Sequence, residues 1–371
     1  MVFMLMGSAL EIVMVARKRF RWATVSYAAS DVARGILLIS FALMTRRLEW
    51  VLFAGLVFFA MRAAAFIWYL RSEFPGALRF DTQLLKQQFM YTVPFSLYVL
   101  IDMVQQNYHQ YAVSVYFDVA TFAIYSVGCL QIPLADFLAS PASNVMMVRM
   151  GEEIREGRRN HLLPIWHDTS RKLALVFIPT AALLIVNAHR IITLLFTDRY
   201  AASVPIFMLW SLTVISSIFQ TDGVLRVFAE TRFLVVMNIA RLATIVALMS
   251  WAIHRFNLLG PVLVTLAGIA VAKTVALARI RAVLKVPVHE LMPWLNLGGI
   301  CILAMLAAIP ASLISTWLTL PSIYVLPISG MVYLGSYAAL LLIFGLLTEG
   351  EKRAITEFVA QFRRRLYAGA S

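Results

Sequence analysis

The stretch that decides the fold is residues 291–318, LMPWLNLGGICILAMLAAIPASLISTWL, which contains no charged side chain. As a helix it would be about 42 Å long, more than the roughly 30 Å of a bilayer's hydrocarbon core. Ten further apolar stretches lie along the chain, separated by short polar breaks. The eleven predicted spans are residues 1–15, 22–44, 50–70, 87–111, 119–148, 173–196, 203–227, 233–254, 258–278, 291–318 and 323–347. The pattern therefore predicts an all-α, polytopic membrane helix bundle.

Composition also identifies lipid as the solvent of this chain. Hydrophobic residues are 61% of the 371 and charged residues only 14%, which is typical of a bundle buried in hydrocarbon. A net charge of +13 would suggest nucleic acid in a soluble protein, but here the basic residues flank apolar spans, so no nucleic-acid partner is expected. Cys129 and Cys301 lie inside apolar stretches without metal-ligand spacing, so we expect neither a disulfide nor a metal site.

The basic residues fall almost entirely on one side of the predicted spans. Alternate breaks hold 23 Lys and Arg residues, whereas the opposite breaks hold only Arg46, Arg47, Arg199 and Arg255. Cytoplasmic loops are enriched in Lys and Arg. The asymmetry therefore predicts that the N-terminus lies outside and the C-terminus in the cytoplasm.

Domain boundaries follow from a weak internal repeat. The segments ARKRF (16–20) and AETRF (229–233) share Ala, Arg and Phe at the same offsets, six spans apart, which suggests two parallel six-helix repeats. We predict a partial N-lobe of three helices at 1–70, a cytoplasmic linker at 71–86, a six-helix C-lobe at 87–285, two extra helices at 286–347 and a basic cytoplasmic tail at 348–371. The first span is short for a crossing, so three helices are expected to be missing before Met1.

Two cytoplasmic connections are longer than a turn. Residues 72–86 and 151–171 mix charged residues with Leu, Phe, Ile and Trp. Such segments favour short amphipathic helices at the inner membrane interface.

Polar side chains inside spans are the candidate functional residues, because a charge at a helix centre costs about 2.5–3.5 kcal/mol on insertion scales. On the fourth span Tyr98, Asp102, Gln105 and His109 occur at i, i+4, i+7 and i+11 and share one helical face. This face is predicted to line a hydrated cavity and to bind substrate. The alternative is interhelical hydrogen bonding that only holds the bundle together.

The fifth span carries further polar residues around Pro133. They are Tyr125, Gln131, Asp136, Ser140 and Asn144. They could face the same cavity, but packing explains them equally well, since Asp136 could lie near an interface.

Five cations also lie within spans: Arg34, Arg62, Arg190, Arg241 and Lys273. Arg62, Arg190 and Lys273 are near one end of their spans, so snorkelling is the default interpretation. Arg241 is nine residues beyond Arg232, roughly 13 Å deep. Arg34 is similarly deep but has Asp31 one turn earlier, so local neutralisation is as good an explanation as ligand binding. A buried guanidinium suits pyrophosphate because it can donate two hydrogen bonds to phosphate oxygens.

No Walker A loop, no HExxH zinc motif and no extramembrane domain large enough for a catalytic site occurs in the sequence. We therefore expect neither an enzyme nor a bound cofactor.

Four segments resemble the polysaccharide flippases of the multidrug/oligosaccharidyl-lipid/polysaccharide exporter superfamily, which are known as O-antigen or polysaccharide biosynthesis proteins. LLFTDRYAASVPIFML (194–209) is similar to the family's turn into its tenth helix, with Thr197 in place of the turn's Gly. IDMVQQNYHQYAVSVYFDVATFAIYSVGCLQIPLADFLASP (101–141) is similar to the seventh and eighth helices. DGVLRVFAETRF (222–233) and NLLGPVLVTLAGIAVA (257–272) fit the tenth-to-twelfth helix passages.

This resemblance implies a MATE-like two-lobed arrangement with an incomplete N-terminal lobe. It also implies a flippase that moves a polyprenyl-pyrophosphate-linked oligosaccharide across the bacterial inner membrane for O-antigen, lipopolysaccharide or other surface polysaccharide. Asp102, Gln105 and His109 would contact sugar hydroxyls or couple to ions, and Arg241, with Arg34, would attract the pyrophosphate. Candidate partners are membrane lipids, H⁺ or Na⁺, and a polysaccharide polymerase or glycosyltransferase.

Two alternatives remain open at this point. A cation-coupled exporter of small drug-like molecules would have an apolar cavity dominated by one or two acidic residues. A membrane-embedded glycan polymerase would need a sizeable outer loop with catalytic Arg, Asp or His.

Overall fold

The computed structural model describes residues 19–74, 82–318 and 320–348, together with residues 7, 9–11, 13, 14, 17 and 351. Helices joined by turns and short irregular connections make up these ranges. The α-helices are α1 (Phe20–Thr45), α2 (Leu48–Glu73), α3 (Thr82–Tyr116), α4 (Val119–Gly128), α5 (Pro133–Arg155), α6 (Leu162–Val186), α7 (Ala188–Phe196), α8 (Val204–Ser211), α9 (Thr213–Ser216), α10 (Thr221–Val227), α11 (Thr231–Phe256), α12 (Leu259–Leu284), α13 (Val288–Leu291), α14 (Trp294–Trp317) and α15 (Ser322–Ile343). The all-α fold class is confirmed.

Eight segments of the described residues are long and apolar enough to cross a membrane. They are Trp22–Thr45, Leu48–Glu73, Arg159–Val186, Asp198–Val227, Arg232–Phe256, Leu259–Leu284, Trp294–Trp317 and Ser322–Ile343. The chain is therefore a multi-pass membrane protein. The count of eleven spans stays a prediction.

The contacts divide the chain into two compact units, Met1–Thr92 and Val93–Ser371. In the first unit α1 packs against α2, and Arg62 of α2 makes an ion pair with Glu11 and donates a hydrogen bond of 3.2 Å to the Gly7 carbonyl oxygen. The snorkelling prediction for Arg62 is therefore wrong, because a carboxylate is available within the unit. The predicted domain boundaries remain predictions.

In the second unit, α6 lies at the centre of the main core and packs against α5, α14 and α15. Trp166 of α6 is fully buried there and donates its indole N–H to the Leu291 carbonyl oxygen over 3.0 Å. This bond ties the end of α13 to the N-terminal part of α6. Arg190, predicted to snorkel, instead donates to the carbonyl oxygens of Ser315 and Leu318 near the end of α14.

Three predicted spans are interrupted, and one of them, 173–196, is divided at Asn187 between α6 and α7. The span at 119–148 is two helices, because Ile132 adopts an extended backbone before Pro133, the first residue of α5; proline disfavours a helical residue in front of it. The span at 203–227 is divided at residues 217–220, between α9 and α10. A break inside hydrocarbon is tolerated only where protein or a hydrated cavity covers its free carbonyl and amide groups.

The predicted interfacial helix at 151–171 is wrong. Helix α5 continues to Arg155, a 3₁₀ turn covers Arg159–His161, and α6 begins at Leu162. Arg158 closes this turn by donating from Nε to Glu153 over 2.7 Å, and that hydrogen bond holds the pKa of the Glu153 carboxyl below its usual value. The matching prediction for 72–86 falls partly on residues 75–81, outside the described residues.

Thr197, which follows α7, has φ +79° and ψ 165°. Glycine adopts this conformation readily, whereas a residue with a Cβ atom is strained there by about 1–3 kcal/mol. The position is the one at which the resembling family carries glycine. The replacement of glycine by Thr197 therefore introduces backbone strain at this turn.

We predict that Thr197→Gly raises the free energy of unfolding by about 1 kcal/mol, because it removes this strain. Thr193→Gly, one turn earlier inside α7, is the matched control and should lower it by about 0.5 kcal/mol, because glycine is a poorer helix former than threonine. Thermal unfolding followed by tryptophan fluorescence in detergent measures both. A lower midpoint for Thr197→Gly would show that the turn is not strained.

Candidate functional site

A cavity of about 570 Å³ lies in the second unit, bounded by α3, α5, α11, α12 and the interruption between α9 and α10. Most of its lining side chains are polar. The polar ones are Asp102, Gln106, Ser140, Ser143, Asn144, Ser216, Ser217, Gln220, Asp222, Arg226, Arg241 and Lys273. Hydroxyls and amides are suited to hydrogen-bonding a hydroxyl-rich ligand such as a sugar.

The cavity also concentrates charge. Two carboxylates, Asp102 and Asp222, face three cations, Arg226, Arg241 and Lys273, which leaves an excess of one positive charge. Asp102 Oδ2 accepts a hydrogen bond of 2.8 Å from Gln106 Nε2, and Asp102 interacts electrostatically with Arg241. Arg241 therefore has a carboxylate on another helix as an electrostatic partner, and the cavity as a whole favours an anion.

Lys273 connects the cavity to the helix interruption. Its Nζ donates to the Phe219 carbonyl oxygen at 2.9 Å and to Thr221 Oγ1 at 3.1 Å, and lies 3.6 Å from Asp222 Oδ1. The Phe219 carbonyl is one of the groups left without a helical partner where α9 stops. Lys273 thus supplies the hydrogen bond that the Phe219 carbonyl lacks within its own segment, and it places a positive charge in the cavity lining. The snorkelling prediction for Lys273 is wrong for this reason.

A second chamber of about 410 Å³ adjoins the first. The two share the lining residues Gln106, Ser216, Ser217, Arg241 and Ile269. The second chamber adds Gln105, Gln131, Trp210, Thr213 and Thr265, and includes the interruption between α4 and α5 at Leu130–Ile132. Arg241 therefore stands between two polar chambers; the interruption after α9 borders both of them, and the interruption before α5 borders the second.

The predicted stripe on α3 divides into two kinds of residue. Asp102 lines the first chamber and Gln105 the second, although Gln105 is almost fully buried and donates from Nε2 to the Asn238 carbonyl oxygen over 2.7 Å. His109 is buried, with a hydrogen bond of 2.8 Å between its Nδ1 and Tyr125 Oη. The ring of Trp210 lies 4.7 Å from that of His109. For His109 and Tyr125 this geometry favours the packing alternative.

The remaining predicted residues lie elsewhere or outside the description. Arg34 is in the first unit, where its Nη2 lies 3.5 Å from Asp31 Oδ1, as local neutralisation requires. The side chains of Tyr98 and Asp136 are outside the described part of the chain. Ser140 and Asn144 line the same cavity as Asp102. The substrate-binding roles of all these residues stay predictions.

Asp222, Arg226 and Lys273 line the cavity although the sequence patterns did not indicate them as cavity residues. A signal was present in SSIFQTDG (216–223), because Ser, Gln, Thr, Asp and Gly clustered within an apolar stretch mark a turn. A turn at that depth exposes carbonyls that a neighbouring cation can bind. In the described part of the chain, no group of three or more His, Cys, Asp or Glu side chains could hold a metal ion.

Multiple spans, interrupted helices and a charged polar cavity among the helices are typical of polytopic membrane transport proteins. The family model described as "Polysaccharide biosynthesis protein" matches residues 2–205, more than half of the chain. The chain therefore belongs to the polysaccharide biosynthesis protein family.

A solved structure has the same fold. The lipid II flippase MurJ in an inward closed conformation aligns with a TM-score of 0.72 and 14% sequence identity, covering 92% of this chain and 71% of MurJ. At this identity the likeness establishes a MurJ-like fold. No curated protein sequence matches the chain with significant similarity.

We predict that Ser140→Cys, in a variant without Cys129 and Cys301, reacts with a charged thiol reagent in membranes, because thiolates form in water and not in hydrocarbon. Ser140 lines the first chamber, whereas Ser211 is fully buried. Ser211→Cys, the matched control, should react at least tenfold more slowly. Equal, slow labelling of both in membranes, with full labelling of both after denaturation, would contradict a hydrated chamber.

Proposed function

We propose that this protein is a flippase that translocates a polyprenyl-pyrophosphate-linked oligosaccharide across the bacterial inner membrane for surface polysaccharide biosynthesis, including O-antigen and lipopolysaccharide. The single observation that carries this proposal is the polar, cation-rich cavity in a member of the polysaccharide biosynthesis family. The MurJ-like fold supports it, since MurJ is named as a flippase of lipid II.

The chemistry of the chambers fits the two parts of such a substrate. Hydroxyl and amide side chains, including Ser143, Asn144 and Gln131, offer hydrogen bonds to a glycan. Arg241 and Lys273 offer charge to a pyrophosphate, and the arginine fork can donate two parallel hydrogen bonds to phosphate oxygens. The polyprenyl chain would stay in the bilayer, so only the polar head needs a hydrated path.

The energetic role of the cavity is to replace water around the head group. A pyrophosphate moved into hydrocarbon without compensation would bear the full desolvation cost of an ion. Asp102 and Asp222 hold the cations in place while the cavity is empty, so three positive groups can coexist at membrane depth. We infer a transport cycle in which lobes rock around the occupied site, as is general for transporters built from repeats.

The orientation follows the basic asymmetry. With 23 Lys and Arg in one set of breaks and four in the other, we propose that the N-terminus is outside and the C-terminus cytoplasmic in the inner membrane. H⁺ or Na⁺ as a coupling ion, and a polymerase or glycosyltransferase as a partner, remain proposals. We also propose domain boundaries at 70, 86, 285 and 347, which rest on the hydropathy pattern and on the repeat of ARKRF (16–20) and AETRF (229–233).

The chemistry of the cavity argues against the multidrug alternative. An exporter of lipophilic cations needs an apolar chamber with acidic groups in excess. Here cations outnumber carboxylates and most lining side chains are polar. The polymerase alternative would need catalytic groups on a large outer loop; such a loop is not suggested by the connections between the described helices.

We predict that Arg241→Gln abolishes translocation and that Arg241→Lys retains roughly a tenth of the rate, since lysine keeps the charge but lacks the fork. Arg255→Gln, in the last turn of the same helix, is the control and should transport normally. The assay follows a fluorescent polyprenyl-pyrophosphate oligosaccharide in proteoliposomes, with protein folding checked by thermal unfolding. Full activity of folded Arg241→Gln would remove this residue from the mechanism.

A further inference from the structure

A separate groove of about 300 Å³ runs between α5 and α6. Its apolar part is formed on α5 by Pro141, Ala142, Val145 and Met146. Its charged end is formed by Arg149 of α5 with Asp168, Thr169 and Lys172 of α6. The groove therefore has an apolar length and a polar end, as an amphiphile has.

The groove and the polar cavity use opposite faces of α5. Ser140, Ser143, Asn144 and Met147 line the cavity, and at about 100° per residue these positions cluster on one side of the helix. The groove residues occur on the other side, and the two sets share no member. A ligand in the groove would therefore not occupy the place proposed for the transported head group.

The charged end has one positive charge in excess. Lys172 Nζ pairs with Asp168 Oδ2 at 2.7 Å, one turn apart on α6. Arg149 is exposed, and its guanidinium makes no ion pair with any carboxylate of the described residues. By contrast, Arg158, Arg171 and Arg279 each bind a glutamate. The groove thus presents an uncompensated guanidinium beside an apolar channel.

The dimensions match one acyl chain of one leaflet. Pro141 and Arg149 are eight residues apart, or about 12 Å along the helix. Half of a hydrocarbon core is roughly 15 Å. Basic pockets between membrane helices on the cytoplasmic side are suited to lipid head groups.

We propose that this groove binds one anionic phospholipid carrying a single phosphodiester charge, with phosphatidylglycerol as the type case. The phosphate lies against Arg149 and Lys172, and one acyl chain follows Val145 and Ala142 toward Pro141. A zwitterionic lipid would leave the excess positive charge uncompensated, so it binds more weakly. By the orientation proposed above, the lipid belongs to the inner leaflet.

The test is native mass spectrometry of the full chain released from nanodiscs of phosphatidylglycerol or phosphatidylcholine. The wild-type protein should retain one phosphatidylglycerol, at least fivefold more than phosphatidylcholine. Arg149→Gln should remove this preference by deleting the charge. Val145→Trp should lower retention at least fivefold by filling the groove while all charges remain.

Matched controls separate a built site from general surface charge. Val148→Trp is on the same helix and similarly exposed but does not line the groove, so it should retain the lipid. Lys285→Gln removes a cation at the end of α12 and should also have no effect. Unfolding midpoints in lipid-free detergent identify any variant that loses lipid because it is misfolded. If one of Arg149→Gln and Val145→Trp is misfolded, lipid retention by the other one tests the proposal.

Three results would overturn the proposal. Equal retention of the two lipids by wild-type protein would exclude an anion-selective site. Undiminished retention in folded Arg149→Gln and Val145→Trp would place the lipid elsewhere. Added glycerol phosphate has the phosphate group without acyl chains. If it displaced the retained phosphatidylglycerol as effectively as added phosphatidylglycerol does, a role for the apolar groove would be excluded. None of these outcomes depends on translocation, so the flippase proposal is tested separately.

Discussion

Every backbone amide and carbonyl group inside hydrocarbon needs a hydrogen-bond partner, and the rest of this structure depends on how that constraint is met at two of the interruptions, after α9 and before α5. At the interruption after α9, the Phe219 carbonyl is bound by Lys273 over 2.9 Å, and the Ser217 carbonyl accepts from Gln220 Nε2 over 2.6 Å. At the interruption before α5, Leu130, Gln131 and Ile132 border a polar chamber. An unbroken helix pairs its own carbonyl and amide groups, so it would need neither Lys273 nor a polar chamber beside it.

Pairing at the break determines the electrostatics of the cavity. Once Lys273 is placed at membrane depth to bind a carbonyl, a counter-charge becomes favourable, and Asp222 lies 3.6 Å from its ammonium. A second carboxylate and a second cation, Asp102 and Arg241, line the same cavity and interact electrostatically. The balance remains positive by one charge, which suits transient binding of an anion better than permanent neutrality would.

Much of the fold was predictable because hydropathy reports the solvent directly. The uncharged stretch at 291–318 corresponds to α14 within three residues at its start and one at its end. The all-α class and the family resemblance were likewise readable from apolar length and from turns such as 194–209, and the match to residues 2–205 confirms the family. Helix interruptions were less accessible, because Gln131 is the only polar residue in 129–132 and the apolar stretch continues on both sides of it.

The site was only partly predictable, because a helical face does not identify the neighbour that it contacts. Asp102 and Gln105 share a face with His109, yet His109 is enclosed by Tyr125 and Trp210. The position of Lys273 near a helix end predicted that its ammonium reaches water, but the ammonium donates instead to the Phe219 carbonyl oxygen on another segment. Such pairings depend on tertiary structure, which periodicity along one helix does not contain.

The central claim is that the chambers around Arg241 receive the pyrophosphate and the first sugars of a lipid-linked oligosaccharide. A cryo-electron microscopy structure of the protein with a polyprenyl-pyrophosphate oligosaccharide bound in nanodiscs tests it most directly. The account predicts pyrophosphate density within hydrogen-bonding distance of Arg241 and Lys273, with sugar density against Asn144 and Gln131. A bound head group located away from both cations, with the two chambers filled only by water, would contradict it.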